Sequence, residues 1–234
     1  MKNSAVKYLS MVFVPAMTLV VAASLARGTP KAPETYFLVA QPDLPDPMFQ
    51  ESVVLMLPST GTPLIIGLIV NKPTKMKLND LFPNTAPFSK RSDPAYFGGP
   101  VDIGTPLVVS NSTHAPGGAT LLFNDVYLSV DPQEILSLFK NSPESKTVRL
   151  YLGRAQWTDE QLHAEMLENS WYNVPSDPAF VFSADPTRVW RTLVARAQAI
   201  QASAPHLHNP GAPMLLPIAW PAGFGGLDEP LPDR

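Results

Sequence analysis

The chain contains no cysteine, which excludes disulfides, thiol redox chemistry and thiolate metal ligation. Charged side chains make up only 16% of it, a low share for a soluble protein, and none of the Lys or Arg residues form a cluster or an alternating basic–aromatic run. With a net charge of −3, it lacks the positive surface that neutralises phosphates, so no nucleic-acid partner is expected. Histidine is scarce, at four residues. His206 and His208 are two apart, a strand spacing, with no Asp, Glu or Cys nearby, so no metal site is expected. There is no Gly-x-Ser-x-Gly elbow, no zincin helix and no dinucleotide fingerprint. Gly98-Gly99 is not followed by the Lys-Ser/Thr of a phosphate loop and reads as a structural turn. Glu165 and Glu168, three apart on one predicted helix, read as surface or helix-packing residues. These absences leave no catalytic residue, no metal and no cofactor assigned.

An apolar run long enough to cross a bilayer is also missing. Leu9 to Ala23 is nearly all apolar but falls short of the roughly 20 residues a span needs. Lys2 and Lys7 precede it, and Ser24-Leu25-Ala26 places small residues where a signal peptidase cuts. This is the pattern of a secretory leader over residues 1–26, cleaved after Ala26. It predicts a periplasmic or secreted protein with no stable membrane span after cleavage. An uncleaved anchor is one alternative. A misassigned start codon, leaving a cytoplasmic protein, is another. The absence of Cys after the run excludes a lipoprotein anchor. Cleavage lowers the basic count from 17 to 15 against 20 acids, a net charge of −5.

What is present divides the rest into three parts: a Pro-containing linker at 27–34, one domain at 35–203, and a Pro/Gly-rich irregular tail at 204–234. From Pro205 onward the tail holds seven prolines and four glycines in 30 residues, a composition that opposes regular structure. In the domain, Tyr36–Ala40, Ser52–Leu57 and Leu64–Val70 read as apolar strands joined by short turns, which favours hairpin pairing. Gly67 marks a bulge or a close backbone approach. Asn71-Lys72-Pro73 reads as a turn that can also form a polar pocket rim. Leu78–Phe82 fits a short helix, Leu107–Ser110 a strand, and Ala119–Val130 a further strand region. Asp131-Pro132 and Asp185-Pro186 each pair an N-cap with proline at the first helical position. The second starts an amphipathic helix through Val189, Trp190, Leu193, Val194, Ala197 and Ile200.

Leu150 to Pro178 carries the most information. Leu150–Leu152 closes an extended run and Gly153 permits a sharp bend. Thr158 and Gln161 have capping-box spacing, with Asp159 and Glu160 at the positive end of the helix dipole. Leu162, Met166 and Leu167 recur at helical spacing and are expected to face the core. Trp157 and Trp171 are large anchors, and Pro175 and Pro178 stop the helix. Arg154 and Trp157 flank the Gly153 bend, a place where free N–H groups at a helix start favour anions.

The segment LGRAQWTDEQLHAEMLENSWYNVPSDPAFVF resembles the signature of the YqgE/AlgH family. Three further segments are similar in the same order: FLVAQPDLPDPMFQESVV from Phe37, GLIVNKP from Gly67 and YFGGPV from Tyr96. The resemblance implies an α+β fold with a curled, mixed or antiparallel, barrel-like sheet flanked by helices. Short neighbouring strands with interspersed helices point the same way. It implies a fold more than a function, since the family mostly lacks an assigned reaction and one member is named for an effect on alginate regulation. The chain departs from the pattern in its leader, in Ser110 where many members carry His, and in Arg154 where Tyr is common.

The leading expectation is therefore a non-enzymatic binding or regulatory accessory protein, exported, acting on an unknown protein or small-molecule partner. Its candidate surface is Asn71, Lys72, Gly98, Gly99, Arg154 and Trp157. A hydrolase or transferase with an unrecognised polar site is the alternative, and a cytoplasmic transcriptional regulator the second. An enzyme should gather ionisable groups with perturbed pKa in one cleft; a binding module should expose an apolar patch.

Overall fold

The computed structural model describes residues 35–59, 61–142 and 146–203. The leader, the linker and the tail with its two histidines lie outside the described residues. Ten strands and five α-helices are described, with one 3-10 turn at Phe88–Lys90. In chain order they are β1 (Tyr36–Ala40), β2 (Val53–Met56), β3 (Leu64–Ile69), β4 (Pro73–Lys77), α1 (Leu78–Leu81), β5 (Pro94–Phe97), β6 (Val101–Asn111), β7 (Thr120–Phe123), β8 (Val126–Ser129), α2 (Pro132–Asn141), β9 (Val148–Thr158), α3 (Asp159–Leu167), β10 (Trp171–Pro175), α4 (Pro178–Val181) and α5 (Pro186–Ser203). The strands form one curled sheet in the order β10-β1-β2-β3-β9-β6-β8-β7, with β4 and β5 off that path. Pairing is antiparallel throughout except between β5 and β9. The α+β half-barrel with a few helices is the expected architecture.

The apolar residues of β1 alternate between two cores, as successive side chains must. Phe37 and Val39 join one core with Val189, Leu193 and Ala197 of α5. Leu38 and Ala40 join a second with Leu162 of α3, Trp157 and Trp171. Coverage of both faces explains why these strands read as unbroken apolar runs. A third core lies under α2, where Ile135 and Phe139 meet Val108, Val148 and Leu150.

Helix starts follow the local chemistry. Asp131 accepts from the amides of Gln133 and Glu134, and Thr158 and Gln161 form the full capping box. Four features differ from the expectations. Gly153 does not end a strand: β9 runs through it to Thr158, and its left-handed φ of 72° redirects the strand in mid-course. Leu162 faces the core and Met166 packs against it half-buried, but Leu167, the last residue of α3, is 49% exposed. Pro73 opens a strand instead of closing a turn, which is tolerated because β4 lies at an edge. The region Ala119–Val130 is a hairpin, turned at Asn124 and Asp125 with φ of 35° and 63°, the conformation of a two-residue turn matched to strand twist.

Two buried arginines pin helix ends to the sheet. Arg91 donates to the carbonyls of Phe139 and Ser142 at the end of α2 and pairs with Asp93 at 2.6 Å. Arg149 donates to Val181 O at 2.6 Å and to Ser183 O at the end of α4, and lies over the Tyr96 ring at 4.6 Å. Carbonyls at a helix C-terminus are otherwise unpaired and carry partial negative charge, which suits a guanidinium. Beneath Arg149, complete burial pushes the Tyr151 hydroxyl well above the usual tyrosine range.

Candidate functional site

Three backbones cross at Gly153. Before it, β9 pairs with β6 and, in parallel, with β5; after it, β9 pairs with β3. The Gly98 amide donates to Leu152 O at 2.9 Å, and the Gly98 carbonyl accepts from the Ile69 amide at 2.8 Å. A Cβ at Gly98 would collide with the Gly153 carbonyl, one at Gly99 with the Arg154 backbone, and one at Gly153 with the Gly99 carbonyl. These glycines allow a close approach; they form no phosphate cradle. The Gly98 amide and carbonyl are both spent on neighbouring strands.

The same crossing throws out a flap. Val101 pairs with Arg154 and Pro106 with Leu152, so β6 spends five steps where β9 spends two. The surplus residues, Asp102 to Thr105, are all exposed. Asp102 adopts a left-handed φ of 52°, and its carboxylate pairs with Arg154 Nη1 at 2.5 Å. Ile103, at the flap's tip, is 51% exposed.

Of the six residues expected to form one surface, Gly98, Gly99 and Arg154 meet at this crossing. Asn71 and Lys72 adjoin it through one bond, Phe97 N–H to Lys72 O at 2.8 Å. Asn71 itself is 6% exposed. Its amide group accepts from Val53 N–H at 2.8 Å and donates to Glu51 O at 2.9 Å, fixing a turn in which Glu51 has φ of 54°. The Lys72 ammonium donates to Met48 O at 2.8 Å; partial burial lowers its pKa, opposed by the nearby Glu51 and Asp46. Trp157 sits apart, on the half of β9 that pairs with β3, and is buried. Its indole donates to both oxygens of Glu165, at 3.1 and 3.2 Å, and the Trp171 indole donates to the same carboxylate at 2.7 Å. Phe49 packs on both rings.

Sequence reasoning missed Asp102, Ile103, Arg91 and Arg149, and it read Glu165 as a surface or helix-packing residue without finding the two indoles that bond it. Glu165 carried a usable signal, since it lies eight residues after one tryptophan and six before another across a capped helix. The flap carried none, because its excursion depends on what β9 does 50 residues later. Of the histidines in the described residues, His114 and His163 are both exposed. Ser110, near the end of β6, is buried with its hydroxyl unpaired. Among the described residues no group of three or more His, Asp or Glu is placed to hold a metal, and no helix is long and apolar enough to cross a membrane. A shallow cavity of about 230 Å³ between Phe180, Ser183, Asp185, Arg188, Val189 and Thr192 is lined by none of the six residues.

Fold and crossing together define a class: an α+β half-barrel whose central strand is bent at a glycine against a Gly-Gly turn. The profile of the AlgH-like family matches residues 37–201, and the chain belongs to that family. It is 31% identical over 163 residues to a UPF0301 protein of Methylococcus capsulatus, covering 67% of this chain and 84% of the relative. A UPF0301 protein of Azoarcus sp. is 33% identical over 158 residues, 64% of this chain and 81% of the relative. The solution structure of the AlgH protein from Pseudomonas aeruginosa superposes with a TM-score of 0.58 at 24% identity, over 78% of this chain and 97% of that one. A crystal structure of protein DIP2367 from Corynebacterium diphtheriae gives a TM-score of 0.55 at 23% identity, over 72% and 88% of the two chains. At these identities the structures establish the fold.

Proposed function

We propose that this member of the AlgH-like family is a non-enzymatic binding or regulatory accessory protein, exported by its leader, and that it meets a protein partner through the Asp102–Thr105 flap. The observation that carries this is Ile103: a large apolar side chain, half exposed, on a segment whose backbone is held in a costly shape. A left-handed non-glycine residue such as Asp102 costs about 1–2 kcal/mol, and the Arg154–Asp102 pair, with its Asp102 side open to solvent, returns little of it. Bulges of this kind re-aim side chains and gather at functional positions, and contact residues sit preferentially on loops fixed by a rigid scaffold. Export is supported by Lys2, Lys7, the apolar Leu9–Ala23 run and the Ser24-Leu25-Ala26 site.

The test places a photo-crosslinking amino acid at Ile103 and, as a control, at the equally exposed Leu167, in the native host. A discrete adduct from position 103 and none from 167 supports the flap as a contact surface. Equal labelling at both positions, or none, refutes it. The intact mass of the protein in separated periplasmic and cytoplasmic fractions tests export: a periplasmic species beginning at Arg27 is expected. A full-length cytoplasmic species overturns export and returns the intracellular regulatory reading to first place.

A further inference from the structure

α5 carries three arginines and no acid. Arg188, Arg191 and Arg196 are all exposed, and among the described residues none of their side chains has an ion pair or a hydrogen bond. Their spacing puts them on one side of the helix, opposite the buried stripe of Val189, Leu193 and Ala197. Thr192, Ala195 and Ala199, which share that side, are short and exposed, so nothing on the helix screens the guanidinium groups. β1 and β10, which pack against α5, hold no acid either, and Asp185, just before the helix, accepts from the Thr187 hydroxyl at 2.6 Å. Arg188 also stands in the first turn, at the positive end of the helix dipole, where a cation is disfavoured. Helix stability therefore does not account for its placement. Beside Arg188, the hollow between α4 and α5 has an apolar wall of Phe180 and Val189. An unpaired cationic face with an apolar notch thus lies along α5 in a chain of net charge −3.

We infer that this face is the docking site of the chain's own acidic C-terminal segment, Asp228 to Asp233, with Leu231 entering the notch. The charged side chains of residues 204–234 are Asp228, Glu229, Asp233 and Arg234, three acids against one base, gathered at the end of the chain. The two patterns match in length. Arg188 to Arg196 covers about 12 Å along the helix axis, and Glu229 to Asp233 covers about 13 Å of extended chain, with Leu231 midway. The reach is sufficient. Arg188 lies about 22 Å back along the helix from Ser203, and a linker the length of residues 204–227 reaches about 25–30 Å without being extended. Exposed ion pairs are individually weak, but a tether of this length holds the segment at an effective concentration in the millimolar range. The contact is therefore favoured within one chain over the same contact between chains. It stands apart from the flap reading, since α5 and β6 are different elements and a missing crosslink at Ile103 leaves it untouched.

Because the chain has no cysteine, Ala195→Cys takes a single spin label on the arginine face, and Leu121→Cys, exposed on β7, takes the control label. In nuclear magnetic resonance of the full chain, the amide signals of Asp228, Glu229, Leu231 and Asp233 should lose most of their intensity with the label at 195 and keep it with the label at 121. About 1 M salt, which shortens the screening length to about 3 Å, should restore them. Asp228→Asn/Glu229→Gln/Asp233→Asn should abolish the loss at Leu231 while the signals of residues 35–203 stay as in the parent, so that a folding defect cannot mimic the result. Leu231→Asp keeps the segment acidic and should weaken the loss by emptying the notch. Arg188→Glu/Arg191→Glu/Arg196→Glu should also abolish it, and lysines in place of the three tail acids should restore it in that background, since reversing both sides renews the charge match. Full intensity with the label at 195, equal loss from both labels, or loss that survives neutralisation of the tail overturns the inference. Mixing spin-labelled chains with isotope-labelled, unlabelled-spin chains tests the alternative occupant. Loss of intensity in that mixture equal to the loss within one chain assigns the face to a second copy and overturns the inference as well.

Discussion

Replacing Glu165 tests whether Trp157 is a ligand-facing residue or a locked structural one. Glu165 accepts from two indoles that are each about 95% buried, Trp157 at 4% and Trp171 at 5% exposure. A hydrogen bond to a charged group contributes about 1.5–3 kcal/mol, and a buried donor left unpaired costs about 1–3 kcal/mol. The two bonds are not independent, because both donors share one carboxylate and the site is partly open to water. Glu165→Leu should therefore destabilise by about 3 kcal/mol, the lower half of the simple sum. For a domain of this size that is a fall in Tm of roughly 6–12 °C. Glu165→Gln keeps an acceptor but loses the charge, so it should cost about half as much. Urea denaturation followed by far-ultraviolet circular dichroism gives the free energy, and tryptophan emission should shift red in the native state of the leucine variant as the indoles loosen. A loss under 0.5 kcal/mol with unchanged emission would refute the reasoning and leave Trp157 free to serve a ligand.

Three other outcomes follow from the same geometry. Gly153→Ala should destabilise by more than about 2 kcal/mol, through a left-handed β-carbon and a clash with the Gly99 carbonyl; a thermal melt within 2 °C of the parent would sink this account of the crossing. Arg149→Met should cost about 2–4 kcal/mol by leaving the carbonyls of Val181 and Ser183 unpaired, and Arg149→Lys should recover less than half of it, since an ammonium cannot span both; equal stability of the lysine variant contradicts this. Burial raises the pKa of Tyr151, and that of Tyr96 and Tyr36, above the ordinary 10.0. The unfolded chain then loses these protons first, so their contribution is intact below pH 10 and declines as pH climbs above it, by about 1.4 kcal/mol per pH unit for each proton. Tyr151→Phe should flatten the slope between pH 10 and 11.5 in chemical denaturation, and an unchanged slope would show that Tyr151 does not carry it.

The sequence by itself determined what depends on near neighbours. The helix starts at Asp131 and Thr158, the apolar strands β1 to β3 and the stripe of α5 are written in spacings of one to four residues, and they stand in the structure as read. Membership of the AlgH-like family was legible for a related reason: glycines that permit a close approach, and prolines and caps that punctuate, tolerate few replacements and leave an ordered pattern. The tertiary structure decided everything that joins distant segments. Gly153 was visible as a special backbone position, but whether it ends a strand or bends one depends on β3, β5 and β6 lying on its two sides. Pro73 reads as a stop until the strand it opens is found at an edge, where its missing N–H costs nothing. Asn71 reads as a turn residue or a pocket rim and Trp157 as an anchor or part of a candidate surface, and bonds to Val53, Glu51 and Glu165 from distant segments decide between those roles. Ile103 is raised to the surface because β6 and β9 place unequal numbers of residues between their paired positions, which no stretch of either strand records alone.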